Sequence, residues 1–156
     1  MKKEKKINQT KKILWIEDEH YHLRGLFKKI KKRGFVVIPA RSYIEARNLL
    51  KNWSEFCFIA LDLIIPYSEN SLNNPNLENE ETNVDLTKNG VLLFNHIVEE
   101  LKLDLPILIL SIVRSRKIVN SLTKRKFVRS IEKLGKLPAD IEFIVLDMLK
   151  YEKHKD

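Results

Sequence analysis

Five short apolar segments alternate with amphipathic stretches along the chain. The apolar segments cover residues 13–16, 35–38, 57–66, 106–111 and 127–131. Continuous apolar runs of this kind are typical of strands buried on both faces of a parallel sheet. The intervening stretches have apolar residues at helical spacing, over residues 23–32, 42–53, 90–101, 114–123 and 138–149. This alternation predicts a (βα)₅ chain, a doubly wound parallel sheet of five strands with helices on both faces.

The pattern also predicts the domain organisation. A single domain should span residues 13–152, between a basic tail at 1–12 and a short tail at 153–156. Residues 67–89 are rich in Asn and Glu and poor in large apolar side chains, which predicts an irregular inserted loop between the third strand and the third helix. No internal repeat is present.

Composition narrows the class of protein. The chain has 156 residues, of which 44% are hydrophobic and 32% charged, values that suit one soluble domain. No apolar stretch is long enough to span a bilayer, and the charged N-terminus is followed by no apolar signal region. The one cysteine, Cys57, cannot form an internal disulfide, which fits a reducing cytoplasm.

The net charge of +8 is unevenly distributed. Residues 114–136 hold nine Lys or Arg and one Glu, whereas residues 67–89 hold five acidic residues and one Lys. A basic surface can bind an anionic partner, but no aromatic residues alternate with the lysines of the N-terminal tail to stack on bases, which argues against nucleic acid.

Polar residues stand where the predicted strands end. Glu17 and Asp18 follow the first strand, Asp62 lies near the end of the third, Ser111 ends the fourth, and Lys133 and Lys136 follow the fifth. The carboxyl ends of parallel strands share one edge of the sheet, where ligands bind in this class of fold. Clustered carboxylates repel one another unless a cation neutralises them, and oxygen ligands favour Mg²⁺. A nearby hydroxyl and ammonium suit an anion such as a phosphoryl group.

These segments resemble the motif strands of two-component receiver domains. The resemblance lies in residues 13–19 (ILWIEDE), 61–66 (LDLIIP) and 106–111 (PILILS) and covers roughly residues 12–152. It implies a flavodoxin-like fold and a single-domain response regulator that signals and is no enzyme beyond its own phosphorylation and dephosphorylation. A histidine kinase or phosphotransfer protein would be the donor and a downstream protein the partner. A homodimer stays open.

The resemblance also implies a role for each site residue. Asp62 would accept the phosphoryl group. Asp18 would bind Mg²⁺ directly, Glu17 would assist through water, and the backbone carbonyl of Ile64 would complete the metal site. Ser111 would hold a phosphoryl oxygen and Lys133 would pair with the phosphoryl group, with Lys136 as the alternative lysine. Few residues follow the last helix, so the output is expected to be a protein contact, with residues 114–136 as the candidate surface.

The chain departs from the family pattern at several positions. Glu17 replaces the commoner aspartate, Gly90 lies 28 positions after Asp62, Ile112 replaces a small residue, Leu134 replaces a proline, and Ser130 replaces the frequent aromatic. These departures keep a second hypothesis open, a receiver-like interaction module that is never phosphorylated. A phosphatase with Asp62 as nucleophile ranks below both, because dehalogenase-type enzymes have a second aspartate where this chain has Ile64.

Overall fold

The computed structural model describes residues 11–70, 87–112 and 115–152 and has one parallel sheet of five strands in the order β2-β1-β3-β4-β5. The strands are β1 (Lys11–Ile16), β2 (Phe35–Ala40), β3 (Phe56–Leu61), β4 (Ile107–Ser111) and β5 (Val128–Glu132). The helices are α1 (Arg24–Lys32), α2 (Tyr43–Leu49), α3 (Lys88–Asn95), α4 (Arg116–Leu122) and α5 (Pro138–Glu152). The predicted (βα)₅ parallel architecture is confirmed.

Helices cover both faces of the sheet and create two apolar cores. Because side chains alternate along a strand, Ile59 and Leu61 of β3 pack with Leu93 of α3 on one face. Phe58 of β3 packs on the other face with Ile141 of α5. Every side chain of β3 except that of Cys57 is buried, so the central strand is fixed from both sides.

Several element boundaries differ from the sequence prediction. Lys11 and Lys12, assigned to the N-terminal tail, are the first residues of β1. Pro39 lies within β2 rather than ending it, which the fold accommodates because β2 is an edge strand with fewer ladder hydrogen bonds to supply. Lys88 and Asn89, assigned to the inserted loop, begin α3. Most of that predicted loop, residues 71–86, lies outside the described residues.

The helices contain two further departures. Ile44, which belongs to the apolar pattern of residues 42–53, is 39% exposed. The third helix continues after Asn95 as a π-helical turn, His96–Glu100. Within the described part of the chain, no helix combines the length and the apolar character that crossing a bilayer requires.

The segment that leaves β3 is held at two places. Pro66 and Tyr67 accept hydrogen bonds from the backbone amides of Tyr43 (2.9 Å) and Ile44 (3.0 Å) at the start of α2, and the rings of Tyr43 and Tyr67 stack with centroids 5.5 Å apart. At the start of α3, the Asn89 side chain donates to the Ile65 carbonyl (3.1 Å). The backbone around Asp62 is therefore tied to both neighbouring helices.

Gly90 allows the closest of these approaches. A Cβ atom at this position would lie 2.3 Å from the Leu63 backbone, whereas a Cβ at Gly25 of α1 would meet nothing within 4 Å. We expect Gly90→Ala to lower the free energy of unfolding by about 3 kcal/mol, because backbone atoms must move to relieve the overlap. Gly25→Ala should raise it by about 0.5–1 kcal/mol. Urea unfolding of both variants measures the difference, and equal stabilities would contradict the close packing.

Candidate functional site

Four polar side chains meet at the carboxyl edge of the sheet. Glu17 follows β1, Asp62 follows β3, Ser111 ends β4, and Lys133 follows β5. Backbone hydrogen bonds extend the ladders to these residues, from the Asp62 amide to the Ile16 carbonyl (2.9 Å) and from the Lys133 amide to the Ser111 carbonyl (3.1 Å). The register of the sheet therefore sets where each of these side chains begins.

Asp62 is the centre of the cluster and is only 5% exposed. Its Oδ1 atom accepts hydrogen bonds from the Ser111 hydroxyl (2.7 Å) and from the Ile64 amide (2.9 Å). Its Oδ2 atom accepts one from the Lys133 ammonium (3.0 Å). Both carboxylate oxygens are thus satisfied, as a buried charge requires.

Lys133 joins the two buried carboxylates. Its ammonium forms ion pairs with Oδ2 of Asp62 and with Oε2 of Glu17. Glu17 is only 2% exposed. The other Glu17 oxygen accepts a hydrogen bond from the Glu19 amide (3.2 Å). A single positive charge is therefore shared by two carboxylates in a largely water-free place, so one negative charge is in excess when both are ionised.

The environment of the two carboxylates changes the pKa of Glu17. Burial raises the pKa of the Glu17 carboxyl to about 7, against the lowering effect of the Lys133 hydrogen bond and with a further raising contribution from the Asp62 charge. Burial alone would lower the pKa of Lys133, but hydrogen bonds to Glu17 and Asp62 and their charges outweigh it and raise that pKa. Lys133 is consequently a fixed cation, and Glu17 is the group whose charge varies near neutral pH.

Asp18 and Lys136 take no part in the hydrogen bonds and ion pairs of the four-residue cluster. Asp18 is half-buried, and its side chain makes no hydrogen bond or ion pair within the described ranges. Lys136 is exposed, so of the two lysines considered from the sequence it is Lys133 that contacts Asp62. Ile112 is 44% exposed and points at least partly to solvent.

The donor chemistry of the cluster fits a magnesium ion. Carboxylate oxygens of Glu17 and Asp62 already converge on one cation, and carboxylate and carbonyl oxygens are the ligands that Mg²⁺ takes in proteins. Among the described residues, no group of three or more His, Cys, Asp or Glu side chains is close enough to hold a metal by itself. A magnesium site here would thus need the Ile64 carbonyl, waters or substrate oxygens besides the acids.

The direct contact between Glu17 and Lys133 was missed from the sequence. The sequence assigned Glu17 a helping role at the metal through water, and the structure adds a contact of its side chain with the Lys133 ammonium. The sequence feature that pointed to this contact was the length of the Glu17 side chain. A glutamate reaches one methylene further than the aspartate common at that position.

No protein-family model matches the sequence, and no curated protein matches it. Solved structures do match. The signal receiver domain of a Luxo repressor protein from Vibrio parahaemolyticus is 15% identical, with a TM-score of 0.67 and 92% of each chain covered. A response regulator receiver domain protein from Methanospirillum hungatei is 17% identical, with a TM-score of 0.65 and coverage of 94% of this chain and 98% of that one.

A third similar structure is the BeF3-activated receiver domain of RstA from Klebsiella pneumoniae. It is 15% identical, with a TM-score of 0.63 and coverage of 89% of this chain and 98% of that one. Many of the matching structures are receiver domains, and the likeness extends over about nine-tenths of the chain. The chain therefore has the CheY-like fold expected from the three motif strands.

The raised pKa of Glu17 predicts a pH-dependent stability. Its folded pKa of about 7 lies above the model value of 4.5, so this group contributes stability below pH 4.5 that is lost as the pH rises through 7. We expect Glu17→Gln to be more stable than the unsubstituted protein at pH 8, by up to about 3 kcal/mol, and nearly equal at pH 5.

Urea unfolding at both pH values without divalent ions measures this effect. Glu19→Gln, at an exposed position, is the matched control and should leave the pH dependence unchanged. A stability difference between Glu17→Gln and the unsubstituted protein that is the same at pH 5 and pH 8 would contradict the buried-carboxylate explanation.

Proposed function

We propose that this chain is the receiver domain of a response regulator and that Asp62 accepts a phosphoryl group from a histidine kinase or a phosphotransfer protein. The observation that carries the proposal is the meeting of Asp62, Ser111, Lys133 and Glu17 from four separate strand ends. The likeness of the fold to receiver domains supports it. The likeness of the fold would not be sufficient support by itself, because one fold can serve many functions.

In the proposed reaction, an Asp62 carboxylate oxygen attacks the phosphorus of the donor. A bond forms between that oxygen and phosphorus, the bond from phosphorus to the donor nitrogen or oxygen breaks, and the electron pair leaves with the donor. Lys133 already contacts Oδ2 of Asp62 at 3.0 Å, so its charge would balance the new phosphoryl oxygens without a large movement. The Ser111 hydroxyl, which donates a hydrogen bond to Oδ1 of Asp62 in the structure, would turn to one of the phosphoryl oxygens.

Magnesium would supply a second source of positive charge for the phosphoryl oxygens. Glu17, Asp18, Asp62 and the Ile64 carbonyl are the groups that would hold it. Because Lys133 neutralises only one of the two buried carboxylates, Glu17 and Asp62 retain the excess negative charge that favours a divalent cation.

The signal would leave the domain through a change in a two-state equilibrium. Phosphorylation adds charge beside Ser111 and Lys133, and new contacts from these residues would shift the ends of β4 and β5. The surface that follows these strand ends is basic, with nine Lys or Arg and one Glu in residues 114–136. A downstream protein with an acidic surface is the expected partner.

Phosphorylation on Asp62 is tested by mass. Incubation with acetyl phosphate and Mg²⁺ should add one phosphoryl group to the protein and none to Asp62→Asn. The matched control is Asp104→Asn, which makes the same change at an exposed position outside the cluster. It should gain one phosphoryl group, as the unsubstituted protein does. No gain in mass, or an unchanged gain in Asp62→Asn, would refute the role of Asp62.

Binding of Mg²⁺ is tested by isothermal titration. Asp18→Asn should weaken the binding at least about tenfold, as expected when a direct carboxylate ligand becomes neutral. Glu19→Gln changes an acid one residue further along and should leave the affinity nearly unchanged. Equal affinities for both variants would remove Asp18 from the metal site.

A further inference from the structure

Four exposed lysines and one exposed tryptophan lie at the amino edge of the sheet, opposite the edge that holds the candidate site. Lys11 is the first residue of β1, and Lys31 and Lys32 are the last residues of α1. Lys51 and Trp53 lie in the helical turn that leads into β3. We name these five residues the lysine–tryptophan edge.

The register of the sheet brings the start of β1 next to the end of α1. Lys11 is the register partner of Phe35, the first residue of β2. The Gly34 amide donates a hydrogen bond to the Lys31 carbonyl (3.0 Å), so only a tight turn separates the end of α1 from Phe35. The backbone of Lys31 and Lys32 therefore lies close to that of Lys11.

The turn before β3 completes the edge on the other side of β1. Lys12 is the register partner of Phe56, the first residue of β3, and its ammonium forms an ion pair with Glu55. The Phe56 amide donates a hydrogen bond to the Trp53 carbonyl, which holds the turn against the start of the strand. Trp53 is 45% exposed, and its indole has no hydrogen bond or ring contact within the described ranges.

This edge has an excess of unpaired positive charge. Two neighbouring cations are neutralised, since Lys12 pairs with Glu55 and Arg33 pairs with Glu142. The four lysines of the lysine–tryptophan edge form no ion pair in the described part of the chain. The sequence that leads into β1, residues 2–10, adds four more lysines and one Glu.

The other acids of the amino edge lie further along it. Glu99, Glu100 and Asp104 precede β4, which β3 separates from β1 in the sheet. Glu99 pairs with Arg125, and Glu100 pairs with His96. The positive potential is therefore highest where β2, β1 and β3 begin.

The residue types of this edge indicate a lipid surface as the partner. A lysine ammonium is a hydrated point charge, whereas the arginine fork is the usual reader of individual phosphates. Clustered lysines are attracted to the surface potential of anionic lipids, and tryptophan prefers the level of the lipid headgroups. Single-stranded nucleic acid is bound by several aromatic side chains on which bases stack, and the lysine–tryptophan edge contains one.

We propose that the lysine–tryptophan edge binds a membrane surface that contains anionic phospholipids, with the Trp53 indole inserted among the headgroups. The strands run from this edge to the edge that holds Asp62, so binding in this way turns Asp62 away from the lipid and leaves it open to a phosphoryl donor. The inference goes beyond the proposed function and does not depend on it, because membrane binding requires no phosphoryl group on Asp62.

Tryptophan fluorescence tests the proposal, because Trp15 is 1% exposed and Trp53 is the other tryptophan of the chain. The full chain is titrated with vesicles of phosphatidylcholine and with vesicles in which about one-third of the lipid is phosphatidylserine. The second kind should shift the emission to shorter wavelength and bind at least about tenfold more tightly, with an affinity that falls as salt is added. Equal binding to both, or binding to neither, would overturn the proposal.

Matched double variants locate the surface. Lys32→Gln with Lys51→Gln changes the lysine–tryptophan edge, whereas Lys88→Gln with Lys117→Gln changes exposed residues in the first turns of α3 and α4. Each pair lowers the net charge of +8 by two. The first should weaken binding to the phosphatidylserine vesicles at least about tenfold, and the second less than about threefold. Equal weakening would mean attraction to net charge without a defined surface and would overturn the proposal.

Insertion of the indole is tested by Trp53→Ala, which should weaken binding to the same vesicles at least about fivefold. The control is Phe143→Ala, at another exposed aromatic position in the first half of α5, and it should bind as the unsubstituted protein does. Thermal unfolding shows that both variants are folded. An unchanged affinity of Trp53→Ala would overturn the proposal, as would tighter binding of a single-stranded oligonucleotide than of the vesicles with the same change in Trp53 emission.

Discussion

The ammonium of Lys133 between the carboxylates of Glu17 and Asp62 is the interaction on which the site depends. Two buried acids at one edge of a sheet would repel each other and destabilise the fold without it. With it, Asp62 is buried with Oδ1 held by the Ser111 hydroxyl and the Ile64 amide and Oδ2 held by the Lys133 ammonium. The single charge of Lys133 leaves one negative charge unbalanced when both acids are ionised. A further cation at the site, or a group bound to Asp62 that changes its charge, would remove this imbalance.

The parallel sheet makes this arrangement possible. Residues separated by up to 116 positions in the chain meet because each follows a strand whose register is set by apolar residues in two cores. The hydrogen bonds that continue the ladder past Ile16 and Ser111 carry the register into the site. Positioning therefore comes from the packing of the sheet, and the polar residues add chemistry at its edge.

Much of the fold and part of the site could be predicted from the sequence. Apolar runs and helical spacing identify the five strand–helix pairs, because burial on both faces of a strand leaves little choice of residue type. Side-chain reach is harder to predict, and so the contact of Glu17 with Lys133 was found only in the structure. The hydrogen-bonded pairing of Pro66 and Tyr67 with the start of α2 was also missed. That pairing joins residues far apart in the chain, which local periodicity does not record.

The anchoring of the segment after β3 has a consequence for protein engineering. Pro66 and Tyr67 are tied to α2, and Asn89 and Gly90 are packed against Ile65 and Leu63. The backbone next to Asp62 is thus held at both ends of the interval between Tyr67 and Asn89. Because the entropic cost of closing a loop grows only slowly with its length, that interval is a suitable place to graft a foreign domain, such as a fluorescent reporter, without disturbing the chemistry at Asp62, four residues before Pro66.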